Sequence, residues 1–269
     1  MSTVLFDTPG PLARARHRIL TLIAAVAALV VLGLVIWKLA LEGEFEAALW
    51  EDLAQPNIWR AIWNGLVATA LAAVVGIILS IGFGALMAVA RLSDHAAVRF
   101  PARVVVEFFR AVPLLLLIVF VFFATGLGAY WSVVIALMLY NGSVLAEVFR
   151  AGVQAVPRGQ SEAALAVGMR KNQIMRLVLL PQAVTIMLPA IISQCVIVLK
   201  DVALGLIVSY RELVAEAQGI AEFVNHAIVP LSIVAVIFIV VNYSISKAAV
   251  YVERRLAQRG HSSVQKPRT

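Results

Sequence analysis

Charged residues are scarce in this chain, and their scarcity excludes an ordinary soluble fold. Of its 269 residues, 14% are charged and 62% are hydrophobic, and the mean hydropathy is +0.95. Soluble globular chains average about 25% charged and about 45–50% apolar residues. The composition therefore predicts an integral membrane protein. We interpret the net charge of +7 as a topology signal and expect no nucleic-acid partner.

Cysteine is nearly absent, because the chain holds Cys195 alone. A single cysteine excludes a disulfide within the chain and a cysteine-based metal site. The four histidines are scattered outside the apolar runs, so no metal site is predicted. The phosphate-binding pattern G-x-x-x-x-G-K-[ST] is missing, and no Ser/His/Asp or Cys/His set stands out. The sequence therefore predicts neither an enzyme nor a cofactor bound by this chain.

Long apolar runs are what the chain has in abundance. A hydrocarbon core about 30 Å thick needs about 20 helical residues. The runs are continuous and lack the alternation of period two that membrane strands show. Six of them qualify, at 19–41, 62–90, 104–124, 130–150, 183–208 and 228–250. We predict an all-α membrane protein with six transmembrane helices, the fifth of them kinked or broken at Pro189 and at Lys200-Asp201.

Basic residues at the ends of these runs predict the orientation. Fifteen of the 22 Lys and Arg residues fall on one side, whereas three fall on the other side together with eight acids. The positive-inside rule then places both termini in the cytoplasm. The predicted segments are a cytoplasmic tail 1–18, an N-terminal helix 19–41, an external loop 42–61, a transmembrane domain 62–253 and a basic cytoplasmic tail 254–269.

Charged residues inside the apolar runs are candidates for function, because hydrocarbon makes them costly. Glu107 and Arg110 are three residues apart, and Glu147 and Arg150 repeat this spacing. Residues i and i+3 share one face of a helix. The spacing predicts two ion pairs, which either fix helix ends or form an inner gate that exchanges partners during transport.

Other polar residues interrupt the fourth and fifth runs. Lys200 and Asp201 are adjacent, so on a helix they cannot face each other, and we assign them to an outer gate or pathway or to a structural kink. Asn141, Ser143 and Gln194 either hydrogen-bond between helices or line a polar substrate path.

Small residues recur every four positions in the second run, at Gly76, Ser80 and Gly84. A stripe of this kind lets another helix approach closely. We therefore predict a helix-packing surface there.

The loop 154–182, on the predicted cytoplasmic side, is the most polar helical stretch of the chain. Ser161 is a plausible N-cap, and Glu162 lies in the first turn, where the helix dipole favours an acid. Alanines follow, Gly168 interrupts the pattern, and Pro181 is predicted to end it. We predict two short helices joined near the glycine. The small side chains of the first favour docking into a groove of a partner protein.

Several motifs of the chain resemble those of permease subunits of bacterial ABC importers. Glu162-Ala163-Ala164, Gly168 and Val178-x-Leu180-Pro181 are similar in spacing to the "EAA" loop of that family. The stretches "VEFFRAVPLLL" (106–116), "LAEVFRAGVQAVPRGQSEAA" (145–164), "LPQAV" (180–184) and "LKDVALGLIVSYREL" (199–213) resemble its polar amino-acid branch. The resemblance covers about residues 60–255, and "KDVALG" resembles the glutamate-importer permeases.

This resemblance implies a fold, a function and partners. The fold is a five-helix core of the type I importers, to which 19–41 adds an extra N-terminal helix. The function is import of a polar amino acid, with glutamate first and glutamine or arginine as alternatives, through a bacterial plasma (inner) membrane. The partners are a cytoplasmic ATPase dimer that binds ATP and Mg, a second permease subunit and an external substrate-binding protein. An ATP-independent secondary transporter or channel, or a membrane scaffold, is the alternative of another class.

The resemblance also implies roles for residues. Glu162, Ala163, Ala164 and Gly168 would dock the ATPase. The candidate substrate path between the third, fourth and fifth runs would include Asn141, Ser143, Gln194, Lys200 and Asp201.

Overall fold

The computed structural model describes residues 10–46, 51 and 53–261, so the ends of both predicted tails and part of the external loop lie outside the described residues. The chain divides into two compact units, Met1–Ala54 and Gln55–Thr269. The first unit contains α1 (Pro11–Leu41), which covers the predicted helix 19–41. Proline occupies the first helical position of α1, where its missing N–H costs no hydrogen bond.

The second unit is built from helices throughout its described part. They are α2 (Pro56–Arg91), α3 (Ala96–Ala111), α4 (Leu114–Thr125), α5 (Ala129–Ala155), α6 (Arg158–Ala166), α7 (Leu180–Asp201), α8 (Leu213–Val224) and α9 (Ile228–His261). Lys171–Gln173 and a π-helical segment, Ile174–Leu179, lead into α7, and a 3₁₀ helix, Val202–Val208, follows it. Over the whole described chain, five helical stretches are apolar and long enough to cross a membrane, and the bent pair α3–α4 counts as a sixth if the two helices form one span. The predicted all-α membrane fold is confirmed.

The third predicted span is not one straight helix. Its run 104–124 is divided between α3 and α4, whose axes meet at 106°. The break falls at Val112, which has an extended backbone with φ −80° and ψ 127°. Pro113 causes it, because a proline disfavours the α conformation in the preceding residue and offers no N–H.

The fifth predicted span is more regular than expected. Helix α7 runs without a break through Pro189 and includes both Lys200 and Asp201. The backbone tightens into the 3₁₀ helix directly after Asp201 instead of unwinding. The Asp201 carboxylate has a hydrogen-bond donor on α5, described below, so the helix has no need to open there.

Two local predictions for the loop after α5 were wrong. Helix α6 begins at Arg158 with Pro157 as its N-cap, and Ser161 lies inside it and donates its hydroxyl to the carbonyl of Arg158 at 2.8 Å. Pro181 does not end a helix. It lies in the first turn of α7, where an α-helical N–H is not required.

Helix α5 packs along α2 through small residues, as the stripe predicted. The Ser80 hydroxyl donates a hydrogen bond to the carbonyl of Leu137 at 3.1 Å. A Cβ placed on Gly84 would lie 2.8 Å from the carbonyl oxygen of Gly142. Close approach of the two backbones positions α5 in the interior, where Val133, Val134, Ala136 and Leu137 are fully buried.

We therefore expect Gly84→Ala to destabilise the protein, because the added methyl group meets the α5 backbone. Overpacking of this kind costs about 1–3 kcal/mol. Gly82→Ala is the matched control, since it lies on the same helix and a Cβ there meets nothing within 4 Å. Alanine should be neutral or stabilising at that position by about 0.5–1 kcal/mol. Thermal unfolding in detergent measures both variants, and equal melting temperatures would contradict the close approach.

Candidate functional site

Three of the predicted path residues form one hydrogen-bonded network between α5 and α7. The Gln194 amide donates from Nε2 to Oδ1 of Asn141 at 2.5 Å. The Asn141 amide in turn donates from Nδ2 to Oδ2 of Asp201 at 3.1 Å. Asn141 is fully buried and Gln194 is 8% exposed. The structure thus connects three residues that the sequence singled out, side chain to side chain.

This network has a clear physical purpose. An ionised carboxylate within an apolar span is costly unless a donor partners it. Asn141 supplies that donor, and Gln194 fixes the orientation of the Asn141 amide by donating to its oxygen. The arrangement therefore joins α5 to α7 by polar contacts, in agreement with the interhelical alternative of the prediction.

Ser143 and Lys200 lie outside this network. The buried Ser143 hydroxyl donates to the carbonyl of Leu139, one turn earlier on α5, at 2.6 Å. Lys200 is exposed and lines a cavity of about 480 Å³ together with Ala203, Val214, Phe238, Ile239 and Asn242. Within the described residues its ammonium group forms no ion pair. Of the predicted path residues, Lys200 is thus the one that presents a charge to open space.

The second predicted ion pair is confirmed and has an additional partner. Arg150 donates from Nε to Oε2 of Glu147 at 3.2 Å, and its Nη2 contacts the other carboxylate oxygen. Arg91, at the end of α2, places Nη1 2.9 Å from the same Glu147 carboxylate. A sequence pattern local to one helix could not reveal this partner, which lies 56 positions earlier.

The first predicted ion pair was wrong. Glu107 pairs with Arg103, whose Nε lies 3.3 Å from Oε1, one turn earlier on α3. The geometry of a helix allows both i+3 and i+4 neighbours, and Arg103 occupies the competing position. Arg110 therefore has no ion-pair partner among the described residues.

The loop helix α6 presents most of the predicted docking residues to solvent. Glu162, Ala163 and Gly168 are exposed, whereas Ala164 is 6% exposed and packs inside the chain. Gly168 has a φ of +81°, a left-handed conformation that glycine adopts without strain and that turns the chain after α6. Three of the four predicted docking residues are therefore accessible to a partner protein, and Ala164 is not.

A contact joins this loop to the connection between α2 and α3. The ammonium group of Lys171 contacts both carboxylate oxygens of Asp94. Hydrogen bonding and attraction from Lys171 lower the pKa of Asp94 below its ordinary value. Because both side chains are well exposed, we regard the pair as a positional link and assign it little stability.

No pattern in the sequence indicated a buried acid at the start of α8, on the predicted external side of the second unit. Glu212 is fully buried and caps α8 by accepting hydrogen bonds from the N–H groups of Val214 at 2.9 Å and Ala215 at 2.8 Å. The adjacent Leu213 N–H donates to the hydroxyl of Thr69 on α2 at 3.0 Å. The sequence counted Glu212 as one of several external acids, because glutamate is not a preferred N-cap residue.

Burial raises the pKa of Glu212 to about 7, despite its two backbone donors. The neighbouring Glu216 raises it further, although Glu216 is itself paired with Arg211 at 2.9 Å. The carboxyl group therefore titrates near neutral pH. Among the described residues, no three His, Cys, Asp or Glu side chains are close enough to hold a metal ion.

Residues 80–258 match the family described as "Binding-protein-dependent transport system inner membrane component". The match spans more than half of the chain, and the chain therefore belongs to this family. It covers α3 to α8, the end of α2, most of α9 and the loop that carries Glu162 to Gly168.

Relatives and a solved structure agree with this assignment. The chain is 39% identical over 223 residues to the glutamate transport system permease protein GluD of Corynebacterium glutamicum, covering 80% of this chain and 82% of that protein. It is 32% identical over 207 residues to the glutamate/aspartate import permease protein GltK of Escherichia coli, covering 72% and 92%. A crystal structure of an amino acid ABC transporter with histidines superimposes with a TM-score of 0.71 at 28% identity, covering 76% of this chain and 97% of that one.

These findings define the class of protein. The chain is a permease subunit of an ABC importer for amino acids and a multi-pass protein of the plasma (inner) membrane. By its family it is a transport subunit and not an enzyme.

Titration of Glu212 should make stability depend on pH. A raised carboxyl pKa stabilises the folded state fully below the unfolded value near 4.5, and this contribution is lost as the pH rises through about 7. The difference corresponds to about 3 kcal/mol. We expect the melting temperature in detergent to fall from pH 5 to pH 8 more steeply in the wild type than in Glu212→Gln. Glu222→Gln, an exposed acid on the same helix, is the control and should keep the wild-type slope. Equal slopes in wild type and Glu212→Gln would refute the assignment.

Proposed function

We propose that this permease imports glutamate, and that a separate ATPase drives it through the loop that contains α6. An external binding protein delivers the substrate, and a second permease subunit completes the path. The observation that carries the choice of substrate is Lys200, a cation within an apolar helix that faces a cavity and has no ion-pair partner among the described residues. The similarity to GluD, named as a glutamate permease, supports it.

The chemistry of the cavity favours an anionic substrate. An unpaired ammonium group at membrane depth is costly, and a passing carboxylate offsets that cost. Asn242 lines the same cavity and can donate a hydrogen bond to the substrate. Glutamine, the main alternative, has one carboxylate fewer, and arginine would bring a second cation beside Lys200.

The network of Asn141, Gln194 and Asp201 serves the same cycle by holding α5 against α7. Alternating access requires helices on one side of the path to separate while those on the other side remain together. Buried polar groups would have to exchange partners if α5 and α7 separated, which favours their moving as one body. The helices that separate during the cycle are then pairs other than α5 and α7.

Coupling to the ATPase is proposed from the exposed surface of α6. Glu162, Ala163 and Gly168 are exposed there, and small side chains permit close contact with a groove. The loop continues from α6 directly into α7, so motion of α6 reaches α7 through the backbone, and the Lys171–Asp94 contact holds the loop beside the ends of α2 and α3. ATP and Mg would bind the ATPase, and closure of its dimer would move the loop.

Substitution of Lys200 tests the substrate path. In proteoliposomes that contain the permease, its ATPase and the binding protein, we expect Lys200→Ala to reduce ATP-dependent glutamate uptake about tenfold or more, since a charge-assisted hydrogen bond is worth about 1.5–3 kcal/mol. Lys200→Arg retains the charge and should retain most of the uptake. Wild-type uptake by Lys200→Ala would remove Lys200 from the path.

Two results on the wild type would overturn the proposal in other ways. Faster uptake of arginine or glutamine than of glutamate would show that the substrate is that amino acid. Uptake by the chain alone without ATP would identify a secondary transporter.

Substitution of Ala163 tests the docking surface. Ala163→Arg places a long charged side chain on the exposed face of α6 without disturbing the interior of the chain. We expect the ATPase to be lost from the purified complex. Membrane insertion of the permease and its contact with the external binding protein should persist. Gln218→Arg adds the same charge to the exposed face of α8 on the opposite side and should leave the ATPase bound. Retention of the ATPase by both variants would argue against docking through α6.

A further inference from the structure

A strongly polar pocket of about 440 Å³ opens where the C-terminal ends of α2 and α5 meet α3. Five arginines line it, at positions 91, 99, 103, 110 and 150, against the two acids Glu107 and Glu147. The residues of the candidate substrate path do not line this pocket. The four candidate gate residues do line it, but their two acids and two arginines balance, so the excess of three positive charges calls for a further explanation.

The ion pairs within the pocket leave part of this charge uncompensated. Glu147 is shared between Arg91 and Arg150, and Glu107 is taken by Arg103. Among the described residues this leaves Arg99 and Arg110 without an ion pair, and the more distant Asp94 and Glu147, each paired with another cation, attract them.

Those two arginines differ in what they contact. Arg99 donates from Nη1 to the carbonyl oxygen of Ser93 at 3.1 Å and of Asp94 at 3.5 Å. Arg110 lines the pocket and has no ion-pair partner in the described part of the chain. Carbonyl oxygens satisfy N–H groups but do not neutralise a charge, so an anion would be attracted to both guanidinium groups.

Arg91 adds a buried cation at the wall of the pocket. Its side chain is 8% exposed, and Nη1 lies within ion-pair distance of Glu147 but makes no hydrogen bond within the described structure. A buried guanidinium group that shares one carboxylate and leaves an N–H unsatisfied is under-compensated. A second negative charge nearby would stabilise it.

Helix α3 carries an exposed apolar face beside this pocket. Phe100, Val104 and Phe108 follow one another at four-residue intervals and are exposed by 68%, 50% and 58%. The arginines of α3 occupy the adjacent face, and the bend of 106° turns α3 across the direction of α4. The pocket lies at the C-terminal ends of α2 and α5, which the positive-inside rule places on the cytoplasmic side. An apolar surface beside a cluster of arginines on that side suits lipid acyl chains and anionic headgroups together.

We propose that this pocket binds the phosphate group of an anionic phospholipid of the predicted cytoplasmic leaflet. Arg99 and Arg110 supply the uncompensated charge, Arg91 reinforces it from the buried wall, and the apolar face of α3 lies against the acyl chains. Basic pockets between membrane helices on the cytoplasmic side are suited to such headgroups. Bound lipid would fix α3 relative to the ends of α2 and α5.

Native mass spectrometry of the full-length purified permease, released from a neutral detergent, tests the proposal. With equal amounts of phosphatidylglycerol and phosphatidylethanolamine, we expect preferential retention of phosphatidylglycerol. Removal of each charge in Arg99→Gln and Arg110→Gln should weaken phosphatidylglycerol binding about fivefold. Arg158→Gln, which removes an exposed arginine from the same predicted side outside the pocket, is the matched control. The melting temperature without lipid verifies that each variant is folded.

Several outcomes would overturn the proposal. Equal binding of the two lipids, or unchanged binding in the double variant Arg99→Gln/Arg110→Gln, would exclude a phosphate site in the pocket. Displacement of the lipid by millimolar inorganic phosphate would identify a site for small free anions, and displacement by glutamate would identify part of the substrate path. Conversion of a dimer to a monomer by Phe100→Ser would show that the apolar face of α3 contacts another subunit instead of lipid.

Discussion

The close approach of α2 and α5 is the contact on which the rest of the second unit depends. At Gly84 and Gly142 the two backbones come so near that neither position has room for a Cβ, and Ser80 adds a hydrogen bond across the same interface. With α5 held in this register, Asn141 faces α7 and Glu147 faces Arg91. The polar groups of the interior and the ion pairs at the predicted cytoplasmic end are therefore aligned by one packing contact.

The partners of the polar side chains explain how so apolar a chain carries acids within its spans and at their ends. Asp201 is offset by an amide, Glu147 by two guanidinium groups, and Glu212 by two backbone N–H groups and a shift toward its neutral form. Each solution lowers the cost of burial in a different way. Lys200 stands apart from them, because its charge faces a cavity. Among the charged groups of α7, it is therefore the one without a partner in the described part of the chain.

The sequence predicted the helical architecture and the residues of the polar network because these depend on long apolar runs and on rare polar interruptions of them. The bend at Pro113 also had a local signal, since a proline restricts the residue before it, but the uninterrupted run of leucines concealed it. The pairing of Glu107 could not be decided locally, because Arg103 and Arg110 both lie within one turn. The burial of Glu212 beside α2 and the contact of Arg91 with Glu147 arise from helices brought together by the fold, and no spacing in the sequence encodes them. The docking, path and gate roles of the predicted site residues stay predictions, because the fold shows their positions and not their use.

The π-helical segment Ile174–Leu179 sets the direction in which the loop faces. A π turn contains one residue more than an α turn, and each residue of an α-helix turns the chain by about 100°. The segment before it is therefore rotated by about that angle relative to an uninterrupted continuation of α7. A single-residue deletion within Ile174–Leu179 would restore the α-helical pattern and swing α6 to another side of the molecule. The length of this short segment, and not its side chains alone, thus determines which surface the importer offers to a partner below the membrane.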